Sequence, residues 1–273
     1  MTRDVWLAAH PYLQPVADVH TLVESAVAEI CVPVAPLPNW HDYAVDFHGG
    51  VPLLQSAKVA IDLSPPEAAV FTLIRKLASS SLPGTFAQQC QVLEDEFHPV
   101  RDTPGHAGAG VTTKVSPSSS HPGLFCYLSW AVLARYLSPV VGAFDAWRNE
   151  ERWLRSYCPT CGVPPAMGQL VGTDPGRLRK LSCGRCRTRW RYRRTACPFC
   201  DSQDEHRLSV VAVEGEGGLR IDYCQTCGGY LKTYDGEGSE NILLADWTSL
   251  HLDFIARDRG LKRMAASLYD LGT

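Results

Sequence analysis

The sequence predicts an α+β chain whose two halves are built differently: a mostly helical N-terminal half, then short strands carrying cysteines. Three observations carry that expectation. Apolar residues recur at helical spacing up to residue 155, four Cys-x-x-Cys pairs fall between residues 158 and 227, and arginine alternates with other residues along 187–193.

The helical expectation rests on local patterns. In ADVHTLVESAVAEI, the residues Val19, Leu22, Val23, Ala26, Val27 and Ile30 fall on one helical face. Ser64-Pro65-Pro66-Glu67 has the form of a capping box, with serine as N-cap and glutamate three residues on. The run behind it points Val70, Phe71, Ile74 and Leu77 inward. Residues 99–123, rich in Gly, Pro, Ser and Thr, read as a long loop. A strong helical pattern resumes at Leu124 and reaches Tyr157, with an interruption or bend expected near Pro139.

From residue 158 the pattern changes to short runs punctuated by Gly, Pro and Cys. Arg187, Arg189, Arg191 and Arg193 alternate with Thr188, Trp190 and Tyr192, the period of a strand with one charged face. LSVVAVEGEGGLRIDYC reads as a hairpin around a Gly-rich turn. From Glu240 a closing amphipathic helix is expected, with Leu244, Trp247, Leu250 and Phe254 or Ile255 inward and Gly260 ending it. The expected division is 1–155 as a helical domain, 156–201 as the first part of the ribbon region, and 202–273 as the second ribbon and closing helix.

Eight of the eleven cysteines form the pairs Cys158/Cys161, Cys183/Cys186, Cys197/Cys200 and Cys224/Cys227. Two residues between cysteines let both thiolates of a tight turn meet one metal ion, and two such turns complete a tetrahedral sulfur site. Four turns therefore predict two metals. Pairing in sequence leaves gaps of 21 and 23 residues, each long enough for a hairpin. The competing arrangement, Cys183/Cys186 with Cys197/Cys200, leaves ten residues between and strands the outer pairs. Gly162 and Gly228 follow cysteines where a positive φ would aim backbone N–H groups at sulfur. With no histidine inside the pairs, ligation is all sulfur, which suits zinc or a single iron as in rubredoxin. Cys31, Cys90 and Cys126 stand alone in apolar surroundings and read as core residues.

Composition narrows the function classes. Hydrophobic residues at 45% and charged residues at 20% argue against wholesale disorder. The apolar run LFCYLSWAVLARYLSPVVGAF is broken by Arg135 and Pro139, which points to a buried helix and to no membrane association. The N-terminus carries no signal-peptide pattern, so the expectation is a soluble cytoplasmic protein. Four thiolates leave a metal no open position, and no other catalytic set stands out, so an enzyme is not expected. Net charge is −3, yet residues 177–194 hold nine Lys or Arg and no acid. A phosphate backbone would meet attraction along that stripe alone.

In order, CPTCGVPP (158–165), LSCGRCRTRW (181–190), CPFC (197–200) and CQTCGGYLK (224–232) resemble the FdhE family, accessory proteins of formate dehydrogenase biogenesis. The resemblance extends through Asp-Trp-x-Ser-Leu-x-Leu-Asp at 246–253 and is strong over 155–260. The basic run 187–194 departs from it in being more arginine-rich. It implies two tandem rubredoxin-like four-cysteine ribbons holding iron or zinc, a non-catalytic role in maturation, and the catalytic subunit of formate dehydrogenase as cytoplasmic partner. A homo-oligomer is left open.

Three roles compete for the basic strand: a solvated ribbon face, a dock for an acidic client or an anionic cofactor, or a grip on nucleic acid. Arg187, Arg189, Arg191 and Arg193 are the partner-binding candidates. As alternatives to the accessory role, the chain reads as a nucleic-acid-binding zinc ribbon using 185–194, or as a rubredoxin-like electron carrier. Nucleic acid ranks below the protein client, because charge elsewhere on the chain opposes it.

Overall fold

The computed structural model describes residues 2–80, 84–97, 119–172, 177–215, 218–236 and 245–269. Among the described residues of the first half are six α-helices: α1 (Arg3–Ala9), α2 (Gln14–Glu29), α3 (Trp40–Gly49), α4 (Ser64–Ala78), α5 (Gly84–Phe97) and α6 (Pro122–Trp147). Helix α6 is the spine. Its Leu128, Val132, Leu133, Leu137, Val140 and Phe144 recur at steps of three or four residues, with Val132 and Leu133 adjacent, and are all fully buried. The N-terminal half of α6 packs on Val23 of α2, Val70, Leu73 and Ile74 of α4 and Leu93 of α5. The C-terminal half packs on Tyr43 and Phe47 of α3 and on Trp153. By length and composition α6 could cross a membrane, but most of it is buried inside this fold. It runs through Pro139 without a break in the helix.

Two local expectations change. Ser64 is the first residue of α4 and not its cap; Leu63 occupies the cap and no side chain closes the end. The donor accounting explains why no cap is needed. Pro65 and Pro66 have no N–H, Ser64 N–H donates to Asp62 Oδ1 at 2.9 Å, and Glu67 N–H donates to Leu63 O at 3.3 Å. Of the three lone cysteines, Cys90 is buried and Cys126 half-buried, but Cys31 is exposed at the end of α2. The Gly/Ser-rich stretch expected at 99–123 lies, as far as residue 118, outside the described residues.

The second half is one mixed sheet of β1 (Met167–Val171), β2 (Leu178–Ser182), β3 (Arg189–Tyr192), β4 (Leu208–Ala212), β5 (Leu219–Cys224), β6 (Gly229–Asp235) and the short β7 (Lys262–Arg263). Strand order is β3-β2-β1-β6-β5-β4, with β7 on β6. Each group of three is antiparallel, as a ribbon requires. The two ribbons are fused where β1 and β6 run parallel, from Met167 opposite Lys232 to Leu170 opposite Asp235. Gly168 permits that seam, since a Cβ there would lie 2.8 Å from both Leu231 Cδ2 and Thr233 Oγ1.

The closing helix is shorter than expected and turned. Residues 240–244 lie outside the described residues; Asp246–Ser249 forms a 3-10 turn and α7 spans Leu250–Asp258. Its buried face is Leu252, Asp253 and Ala256, while Phe254 is exposed. The rotation brings Asp253 onto β6. Lys232, almost fully buried, donates from Nζ to Asp253 Oδ2 at 2.7 Å and to Asp246 Oδ1 at 2.6 Å, and Tyr230 Oη donates to Asp253 Oδ1 at 2.7 Å. Arg263 pairs with both carboxylates, and Ser267 donates to Asp246. Gly260, at φ +71, ends the helix as expected.

Candidate metal centres

The cysteine turns assemble in sequence order. The sulfurs of Cys158, Cys161, Cys183 and Cys186 form one group and those of Cys197, Cys200, Cys224 and Cys227 another, each with all ligand atoms within 4.8 Å. The competing pairing does not occur. In the first group Cys158–Cys186 and Cys161–Cys183 are 3.5 Å apart; in the second Cys197–Cys227 is 3.8 Å and Cys200–Cys224 3.9 Å. These separations are far beyond a disulfide bond. A tetrahedron of about 2.3 Å metal–sulfur bonds places its sulfurs about 3.8 Å apart, so both groups fit a four-thiolate ion. At the first group burial pushes the Cys158 thiol well above its ordinary value, while, against that burial, hydrogen bonds from the neighbouring thiols and Thr188 hold Cys186 well below it. A cation bound there would reverse the burial cost.

One turn is used four times. The residue after the second cysteine is left-handed at Gly162 (φ 78), Arg187 (φ 62), Asp201 (φ 54) and Gly228 (φ 72). In each, that residue's N–H donates to the carbonyl of the first cysteine, at 2.8–3.2 Å. The fold so formed aims further N–H groups at sulfur: Arg185 at Cys183, Phe199 at Cys197 and Gly229 at Cys227, each at 3.4 Å. The expectation named only the two glycines. Arg187 and Asp201 carry the same geometry without a glycine signal. Asp201 is steadied there by Tyr192 Oη, which donates to its carboxylate at 2.6 Å.

The two groups differ in setting. All four residues of the first are buried and share a core with Tyr43, Leu133, Phe144 and Trp190. Thr160 and Thr188 hydroxyls, buried and 2.7 Å apart, tie its two turns together. In the second, Cys200 is exposed and Cys227 half-buried.

The basic strand is divided by its surroundings. Trp190 and Tyr192 are buried, as the alternation predicts. Arg191 pairs with Glu151 at 2.9 Å, Lys180 pairs with Glu150 at 3.1 Å, and Arg189 donates to the buried Gln169. Arg148, buried at the end of α6, donates to Arg189 O, and Trp190 Nε1 donates to Arg155 O at 3.0 Å. The segment after α6 thus grips one face of the strand. Arg187 and Arg193 are exposed, and Arg187 also lines a cavity toward the helices.

Comparison with known proteins adds the following. No family model matches the chain. Protein FdhE homolog of Aquifex aeolicus is 32% identical over 133 residues, 47% of this chain and 47% of its own length. The homolog of Stutzerimonas stutzeri is 36% identical over 131 residues, 43% of this chain and 39% of its own. The chain thus spans half or less of these two relatives. A longer match, 25% over 241 residues, covers 81% of this chain and 74% of Protein FdhE homolog of Pseudomonas putida. The crystal structure of the FdhE protein from Pseudomonas aeruginosa superposes with a TM-score of 0.60 at 19% identity, covering 96% of this chain and 90% of that one. That superposition is a likeness of fold.

Proposed function

From its similarity to several FdhE homologs, we propose that the chain is an FdhE-family protein, a non-catalytic accessory factor that binds the catalytic subunit of formate dehydrogenase in the cytoplasm during maturation. The observation that carries this reading is the closure of both four-cysteine groups. Cys158, Cys161, Cys183 and Cys186 would hold one ion and Cys197, Cys200, Cys224 and Cys227 the other, iron or zinc. Such an ion supplies folding energy and leaves no position for substrate. The chain's own residues then do the rest. The turns lock the ribbons, the β1–β6 seam joins them, and the exposed arginines Arg187 and Arg193 offer forked donors to an acidic client.

Nucleic-acid binding is the weaker reading, because Arg189 and Arg191 are committed to Gln169 and Glu151. Electron transfer has one observation in its favour, the exposed Cys200. The test is a tagged pull-down from host extract, with and without nuclease, at low and moderate salt. A formate dehydrogenase catalytic subunit retained after nuclease and moderate salt supports the proposal. Ribosomal or transcription components lost on nuclease treatment would replace it with the nucleic-acid reading.

A further inference from the structure

A cavity of about 580 Å³ lies between the helices, the first metal turn and the C-terminal segment, and its lining takes in Cys183 of the first metal group and Arg187 of the client reading. Its volume lies in the range of small-ligand sites, roughly 300–1,000 Å³. Three cations line it: Arg3 from α1, Arg187 from the metal turn and Arg189 from β3. The side chain of Arg187 has no hydrogen-bond or ion-pair partner among the described residues. Two further polar atoms of lining residues, Arg189 Nε and Ser182 Oγ, are buried without a partner.

The acids nearby do not cancel this charge. Asp246 is committed to Lys232 and Arg263, and Glu24 stands 4.0 Å from Arg3 with its carboxylate largely in solvent. Arg3 and Arg187 both lower the basicity of His20, so their charges converge near one ring. The opposite character is supplied by aromatic walls. Trp247 stacks on His20 at 5.6 Å, and Trp130, half-buried, has no ring partner among the described residues. A free indole face beside convergent guanidiniums suits a ligand with a flat ring at one end and a multiply charged anion at the other.

We propose that this cavity is a binding site for a phosphate-bearing planar heterocycle of mononucleotide class, with Arg187 holding the phosphate and Trp130 stacking on the ring. An acidic peptide would satisfy the arginines but would have no use for the indole.

The test uses the full chain as purified and isothermal titration with GMP and AMP, with ribose 5-phosphate, guanosine and inorganic phosphate as controls. Two variants are chosen to keep the fold: Arg187→Asn, because asparagine tolerates the left-handed turn, and Trp130→Leu, a good helix former. The expected result is saturable binding of a nucleoside monophosphate, weakened at least about tenfold by either variant and at least about tenfold in either half-ligand. Circular dichroism and metal content confirm each variant's fold, and either one alone suffices as the test. Absence of saturable binding by the unmodified chain overturns the proposal. So does binding that survives in a folded variant, or inorganic phosphate binding as tightly as the nucleotide.

Discussion

At the scale of single residues, His20 is displaced far from its solution behaviour. Burial, with the nearby Arg3 and Arg187 charges adding to it, brings its pKa down to about 4, with Asp246 opposing. The ring is therefore neutral at pH 7. Tyr127 Oη and Tyr269 Oη each lie 2.6 Å from one ring nitrogen, so one phenol donates and the other accepts. The sign of the pH effect follows. Between pH 6.5 and about 4 the unfolded chain binds a proton that the folded chain refuses, so stability falls as pH falls through that window. His20→Gln keeps polar partners for both phenols and removes the titration. Denaturant unfolding of both proteins at pH 7, 6 and 5 is expected to bring the wild-type curve down relative to the variant, by up to about 3 kcal/mol near pH 4. Parallel curves would show that His20 is protonated in the fold.

At the scale of elements, two stretches of sequence, Tyr230-Leu231-Lys232 and the Asp246–Asp253 run, turn out to be halves of one ionic cluster between β6 and α7. The Lys232 ammonium and the Arg263 guanidinium hold Asp246 well below the usual carboxylate range, although burial opposes them. Lys232→Met is expected to cost about 3–5 kcal/mol in denaturant unfolding, because it leaves two carboxylates sharing one arginine. Adding Asp253→Leu should return part of that loss. A single-variant cost under about 1 kcal/mol would mean that the cluster is solvated. This cluster also marks the limit of what local pattern can read. The cysteine turns are legible because spacing and metal geometry are both local; of the alternating run 187–193 only Arg189–Tyr192 forms a strand, Arg187 lying in the left-handed turn after Cys186. The rotation of α7 is not legible. An apolar-face count puts Leu250 and Phe254 or Ile255 inward, whereas the buried Lys232, 21 residues earlier in the chain, selects Asp253. The parallel β1–β6 seam is equally hidden, since it joins residues more than sixty positions apart with Gly168 as its one local sign.

At the scale of the whole molecule, the two metal groups sit at different depths. The first belongs to the core that joins helices to sheet, with Cys158, Cys161, Cys183 and Cys186 packed among Leu133, Phe144 and Trp153. None of the second group's cysteines belongs to that core, and its Cys200 is open to solvent. If folding energy comes from metal binding, damage to the first group should travel into the helical half and damage to the second should stay in its ribbon. Cys158→Ser is accordingly expected to lower the metal content from two ions to one and to lower the helical unfolding midpoint as well. Cys200→Ser should lose one ion while the helices unfold near the wild-type midpoint. Chelator added to the wild-type chain should remove metal in two phases, the faster leaving a one-ion species with helical circular dichroism intact, followed by native mass spectrometry. The depth difference is what these experiments read. A single phase, or equal loss of helix in the two variants, would mean that the sheet shared through β1 and β6 couples the two groups into one cooperative unit.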